Sequence, residues 1–211
     1  MTALPGVLAG HRIVPVLVID DAAGAVDAVA ALAEGGIGCA EITLRTAAGL
    51  PSIAAVAATG IIVGAGTVLT PEQVDQVADA GAQFVVTPGF ARDVVDRALE
   101  RGLAVLPGVA TPTEVQAAVR AGLQSVKLFP ADLLGGLGMV RALAGPFPAI
   151  GFVPSGGVSP RNAGDYLRDP SVPAVSGSWM ATRELLRGHD YEAIARLSRD
   201  ATALAEAVSP G

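Results

Sequence analysis

Lys127 is the single lysine in a chain whose other thirteen basic residues are all arginine. The two cations are not interchangeable. A guanidinium stays charged at any pH a protein meets, whereas an ε-amine can shed its proton, act as a nucleophile and condense with a ketone. This amine lies in GLQSVKLFPADLLGG, Gly122 to Gly136, among Val126, Leu128 and Phe129, an apolar run with strand character that Pro130 stops. A lysine kept only for surface charge is solvated and seldom hemmed in by apolar neighbours. Lys127 is therefore expected to be a reactive amine inside the protein.

Three further side chains suit such an amine. Glu41, Thr43 and Arg45 alternate along CAEITLR and so face one side of a strand, as Lys127 and Phe129 share one side of another. A salt bridge along the strand between Glu41 and Arg45 is the plain structural explanation. Against it, two charges in an apolar strand are costly to bury without a task. Brought to one mouth with Lys127, they make a Schiff-base site for a 2-keto acid. Lys127 attacks the ketone, Arg45 clamps the carboxylate in a two-pronged fork, and Glu41 moves protons as general acid and base. An unperturbed lysine of pKa about 10.4 is almost wholly protonated at neutral pH; burial and a nearby cation favour the free amine.

The turns Gly156-Gly157 and Ser176-Gly177-Ser178 suggest a second function, anion binding. Glycines let the backbone approach a phosphate, and Ser178 adds a hydroxyl. The run Gly64-Ala65-Gly66-Thr67 lacks the third glycine of a dinucleotide motif. His11 and His189 are isolated and are read as non-catalytic.

The elements that position these residues repeat one pattern: a short β-branched run, a Gly, Thr or Pro signal, then an alanine-rich amphipathic segment. Eight strands are expected, at Ile13 to Ile19, Cys39 to Leu44, Ile61 to Gly64, Phe84 to Thr87, Ala104 to Leu106, Ser125 to Phe129, Gly151 to Pro154 and Ala174 to Ser176. Helical patterns lie between them at Ala22 to Glu34, Pro71 to Ala80, Ala91 to Glu100 and Thr113 to Ala121, with Tyr191 to Val208 last. Thr70 and Thr111 cap helices that begin with Pro71 and Pro112, and Gly35, Gly81, Gly102 and Gly122 close helices. Evenly spaced βα units without a dinucleotide fingerprint predict an α/β fold, a single (β/α)₈ TIM barrel spanning residues 1–211. In such barrels chemistry and phosphate binding lie at the carboxyl ends of the strands. Every strand end but the first is expected to converge there.

Composition excludes several functions. With 51% hydrophobic and 16% charged residues the chain folds around a large core, and no uninterrupted 18-residue apolar span suggests a membrane segment. Net charge is −6, without a basic stripe bearing aromatics, so nucleic acid is not an expected partner. The amino terminus lacks the pattern of a secretion signal, giving a cytoplasmic expectation. Cys39, the single cysteine, has no disulfide partner and is read as a small buried hydrophobe, and no metal-ligand spacing surrounds it.

With these residues in view, the sequence resembles the class I 2-keto-3-deoxy-6-phosphogluconate (KDPG) and 4-hydroxy-2-oxoglutarate (KHG) aldolases, over nearly the whole chain from Val14 to Val208. GIGCAEITLRT and GLQSVKLFPADLLGG look like the family's two signature segments, and VGAGTVLTPEQ, TPGF, LPGVATPTE, GGVSP and SGSW look like its others in the same order. The resemblance implies a metal-free, cofactor-free, commonly trimeric enzyme of the Entner–Doudoroff pathway acting on a 2-keto acid and a phosphorylated aldehyde. It implies Lys127 as the Schiff-base lysine and Glu41 as the acid/base. Arg45, Thr67, Pro88, Phe129 and Ser155 would serve the pyruvate portion, and Gly156, Gly157 and Ser178 the phosphate. Ser155 stands where the family usually has threonine, and Ser176 where it usually has glycine.

The expected reaction is reversible cleavage of 2-keto-3-deoxy-6-phosphogluconate to pyruvate and glyceraldehyde 3-phosphate. Rival readings are the same chemistry on 4-hydroxy-2-oxoglutarate, a sugar-phosphate isomerase on the same barrel, and a non-catalytic sugar-phosphate-binding protein. The last two leave Lys127 without a task.

Overall fold

A computed structural model describes Leu4 and residues 6–208. The outer bounds of the expected domain, residues 1 and 211, and part of the amino-terminal stretch read for a secretion signal lie outside the described residues.

The parallel α/β pattern is as the sequence predicts. Strands β1 (Ile13–Leu17), β2 (Cys39–Thr43), β3 (Ile62–Gly66), β4 (Phe84–Val86), β5 (Ala104–Leu106), β6 (Gly108–Val109), β7 (Ser125–Leu128), β8 (Gly151–Pro154) and β9 (Val175–Gly177) run with helices between most of them. The helices are α1 (Ala25–Glu34), α2 (Gly49–Ala57), α3 (Pro71–Asp79), α4 (Arg92–Glu100), α5 (Pro112–Arg120), α6 (Leu137–Ala144), α7 (Ala163–Leu167), α8 (Arg183–Arg187) and α9 (Tyr191–Glu206). All pairings between strands are parallel. They form a six-stranded sheet in the order β5-β4-β3-β2-β1-β9 and a three-stranded sheet β6-β7-β8.

The expected fifth strand, Ala104 to Leu106, is β5, and a ninth short strand that was not expected, β6, follows it after Pro107. Pro107 separates them because it has no N–H to donate, while its carbonyl still accepts from the Lys127 N–H at 2.8 Å. An isolated parallel bridge, Ser155 to Ser176, links the end of β8 to β9.

Alternation along the strands sorts the core. One face carries the large cluster packed under the helices, including Ile13, Leu17, Ala40, Ile42 and Val63. The other carries a smaller cluster with Val14, Cys39, Phe84, Val86, Val153 and Ala174. Two residues further along each strand, that same face presents Val16, Glu41, Pro88, Ser155 and Ser176. The inner cluster is the apolar floor beneath the site. Gly64 permits it, since a Cβ there would stand 2.3 Å from the Phe84 ring.

Local signals act as expected at several ends. Thr70 accepts from the Gln73 N–H, and Thr111 forms a capping box with Glu114, each ahead of a first-turn proline. Gly81, Gly102 and Gly122 take positive φ two residues after the last residue of their helices. At the end of α1 the left-handed residue is Gly36, not Gly35. Gly35 is needed for another reason: a Cβ there would lie 2.2 Å from Cβ of Ser198 on α9. The segment Ala22 to Glu34 also divides, its first three residues forming a 3₁₀ turn capped by Asp21. Arg12, not singled out in the sequence, donates from Nη1 to the carbonyls of Ala205 at 2.7 Å and Val208, and from Nη2 to that of Leu167 at 2.7 Å, tying the ends of α9 and α7 to the start of β1.

Candidate active site

At the carboxyl ends of the strands lies a cavity of about 370 Å³, and all ten residues selected from the sequence line it. Its centre is a buried pair. Lys127 Nζ, on β7, stands 3.7 Å from Oε1 of Glu41, on β2, with side-chain exposures of 9% and 1%. Neither Glu41 oxygen has a hydrogen-bond partner among the described residues. Burial pushes the Glu41 carboxyl above its ordinary range, and the Lys127 cation opposes that rise without cancelling it. The ring of Phe129 lies 5.1 Å from Nζ, covering the amine with a π face.

The position of Glu41 depends on Gly66 at the end of β3. A Cβ at residue 66 would stand 2.2 Å from Glu41 Oε1, so the carboxylate occupies the space a side chain would fill. Thr67 follows with φ 59, a conformation unusual for a β-branched residue, and it borders the cavity.

Arg45 departs from the expectation that both strand charges are buried. β2 ends at Thr43, and Arg45 is exposed beyond it on the cavity rim. The salt bridge along the strand is not formed either, since the cation beside Glu41 is Lys127. Exposure to water at the strand end removes the cost of burying the guanidinium, and Arg45 still lines the cavity.

The opposite wall comes from β8 and β9. Ser155 is buried, and Gly156 and Gly157 take φ of +86 and +82. Residue 157 must be glycine on a second count: a Cβ there would lie 2.2 Å from that of Asp132. Likewise a Cβ at Gly177 would lie 2.2 Å from the Trp179 ring, which packs over the backbone just before exposed Ser178.

Four more residues line the cavity: Thr43 and Gly177, which the sequence placed at strand ends without an individual role, and Val16 and Val158, which it did not single out. Val16 corrects the expectation that the first strand contributes nothing. The Pro107-Gly108 end, by contrast, does not reach the cavity. Thr43 shares the inner face of β2 with Glu41; it is 2% exposed, and its hydroxyl has no partner among the described residues. The signal was its two-residue spacing from Glu41. Ser176 is also buried, and its hydroxyl has no partner among the described residues.

Other candidates fall elsewhere. His189 Nδ1 lies 2.7 Å from the Tyr191 hydroxyl on the exterior, and His11 borders a separate cavity of about 360 Å³ by the amino end of β1. Among the described residues no group of His, Cys, Asp and Glu is arranged to hold a metal ion, and no helix is long and apolar enough to cross a membrane.

The chain is similar to known proteins. A family model described as KDPG and KHG aldolase matches residues 5–197. The 2-dehydro-3-deoxy-phosphogluconate aldolase of Treponema pallidum is 43% identical over 190 residues, 89% of this chain and 90% of that protein. The KHG/KDPG aldolase of Escherichia coli is 39% identical over 202 residues, 95% of each chain. The crystal structure of the KDPG aldolase of Legionella pneumophila, with pyruvate captured as a covalent carbinolamine, superposes with a TM-score of 0.88 at 35% identity, covering 92% of this chain and 95% of that one.

Proposed function

The chain belongs to the KDPG and KHG aldolase family, and from that premise we propose that it is a class I aldolase cleaving 2-keto-3-deoxy-6-phosphogluconate reversibly into pyruvate and glyceraldehyde 3-phosphate. The observation that carries this reading is the Lys127–Glu41 pair, 3.7 Å apart inside the cavity.

The chemistry follows from the two groups. The neutral Lys127 amine attacks the C2 ketone, giving a carbinolamine that loses water to form a protonated imine. Glu41, acting through a water, takes the proton of the C4 hydroxyl. The C4–O bond becomes the aldehyde carbonyl, the C3–C4 bond breaks, and its electron pair neutralises the iminium to leave an enamine of pyruvate. Protonation at C3 and hydrolysis release pyruvate and restore the amine. Arg45 and Thr67 hold the pyruvate carboxylate end, while Pro88, Phe129 and Ser155 shape its pocket. Gly156, Gly157 and Ser178 receive the phosphate.

Several wider readings accompany this one. Pro107 joins β5 to β6 covalently, and the Ser155–Ser176 bridge approaches closure on the other side, so we read the two sheets as a closed (β/α)₈ barrel forming one domain. We read the protein as a cytoplasmic homotrimer serving the Entner–Doudoroff pathway, without a cofactor. Apolar side chains left exposed at Leu69 and Leu133 are compatible with self-association.

A second substrate reading, 4-hydroxy-2-oxoglutarate to pyruvate and glyoxylate, is favoured by the double name of the Escherichia coli relative. The ratio of kcat/KM for the two keto acids separates them. The founding test is incubation with pyruvate and borohydride followed by intact and peptide mass analysis. A reduced adduct on Lys127 is expected; a folded protein that forms none would overturn the class I reading and bring forward the isomerase.

A further inference from the structure

The loop after β8 is held in shape by a side chain that does not line the cavity. Gly156 and Gly157 take successive left-handed conformations, and Gly156, Gly157 and Val158 line the cavity wall. The N–H groups of Gly157 and Val158 donate to no protein acceptor among the described residues. Two glycines also make this segment permissive, so something must select one orientation of its peptides.

Asn162 does so. Its Nδ2 donates to the Gly157 carbonyl at 3.0 Å, while its Oδ1 accepts from the Ser159 N–H at 2.8 Å and the Ser159 hydroxyl at 3.4 Å. The Asn162 N–H donates back to the Ser159 carbonyl at 3.2 Å. Asn162 is itself anchored, because it immediately precedes α7, whose Ala163, Tyr166 and Leu167 are buried.

The consequence lies in one peptide plane. The Gly157 carbonyl and the Val158 N–H belong to the same planar unit and point in opposite directions. Tying the carbonyl to Asn162 therefore aims the N–H the other way. We infer that Asn162 is a positioning residue for phosphate: it fixes the 157–158 peptide so that the Val158 N–H, with that of Gly157, presents a preformed anion cradle. The inference rests on the aldolase reading, in which the phosphorylated end of the substrate occupies this loop. It adds a residue that acts through the backbone and touches neither substrate nor Lys127.

The test compares phosphorylated and unphosphorylated substrates in Asn162→Ala, using inorganic phosphate as a competing probe. KM for 2-keto-3-deoxy-6-phosphogluconate and the inhibition constant of phosphate should each rise about tenfold, the size of one well-placed hydrogen bond. KM for 4-hydroxy-2-oxoglutarate, kcat on either substrate and pyruvate trapping by borohydride should stay within about twofold. Asn162→Asp keeps the Ser159 contact but loses the donor to Gly157, so it should be impaired like the alanine variant; it decides the question if the alanine variant does not fold. An unchanged KM for the phosphorylated substrate, an equal rise on both substrates, or an aspartate variant that behaves like the parent would overturn the inference. Failure of the parent protein to trap pyruvate would instead overturn the aldolase reading beneath it.

Discussion

Lys127 and Glu41 meet at 3.7 Å although β7 and β2 are not neighbours in either sheet. The contact crosses the interior between facing strands, which is why the carboxylate is fully buried while both of its oxygens lack hydrogen-bond partners among the described residues. Such an arrangement costs stability, which fits the acid/base role proposed for Glu41. Glu41→Gln should lower kcat by about 10²–10⁴, the range of a lost general acid/base.

The same carboxyl gives a pH signature. Its folded-state pKa lies above the ordinary value of 4.5, chiefly through burial. Between those two values the folded protein holds a proton that the unfolded chain has released, so the contribution of Glu41 to stability falls as pH rises from about 4.5. Below that point the penalty is absent. Glu41→Gln should therefore gain stability relative to the parent as pH increases through this window, measured by denaturant unfolding at several pH values. Loss of the counter-charge beside Lys127 shifts the whole comparison, so the slope is the readout. A parallel pair of curves would contradict buried titration of Glu41.

Gly66→Ala tests how closely the carboxylate is placed. A Cβ 2.2 Å from Oε1 must push the carboxylate aside, by an amount on the scale that costs about 100-fold in rate. Residue 66 is not among the positive-φ glycines, so alanine is tolerated by the backbone itself. Expected are a folded protein, a large fall in kcat, and little further loss when Glu41→Gln is added. Additive losses in the double variant would show that Gly66 acts elsewhere.

Much of this site is legible in the sequence because strand alternation is a rigid rule: two-residue spacing puts Glu41 beside Thr43 and Lys127 beside Phe129. Lys127 stands out through residue choice alone. Other features are not legible because they arise from distant approaches. Gly35, Gly64 and Gly66 are required by Ser198, Phe84 and Glu41, none of which adjoins them in sequence. Arg45 was misjudged because its place past the last paired residue of β2, where water reaches it, depends on where the ladder stops. The strand β6 escapes the sequence pattern because it is only two residues long, Gly108 and Val109, directly after Pro107.

Thr43→Val separates function from stability at one hydroxyl. That group is buried and without a partner among the described residues, so replacing it with an isosteric methyl should stabilise the fold by about 1 kcal/mol. If substrate or a bound water uses the hydroxyl, kcat/KM should fall about tenfold in the valine variant and recover in Thr43→Ser. A valine variant with raised Tm and unaltered kcat/KM would leave the hydroxyl without a role in turnover.

Cys39 reports opening of the apolar floor below the site. It is fully buried on the inner face of β2, its thiol donates weakly to the Ile13 carbonyl at 3.6 Å, and burial pushes its pKa up to about 12. Since the thiolate is the reactive species, the native thiol should resist a disulfide reagent at neutral pH. Labelling should then require opening of β1 and β2, the strands that also carry Val16 and Glu41. Its rate should rise with denaturant in step with loss of activity, and pyruvate trapped on Lys127 by borohydride should slow it. Rapid labelling of fully active protein would show that the inner cluster opens without disturbing the Lys127–Glu41 pair, contrary to the single packed interior these strands share.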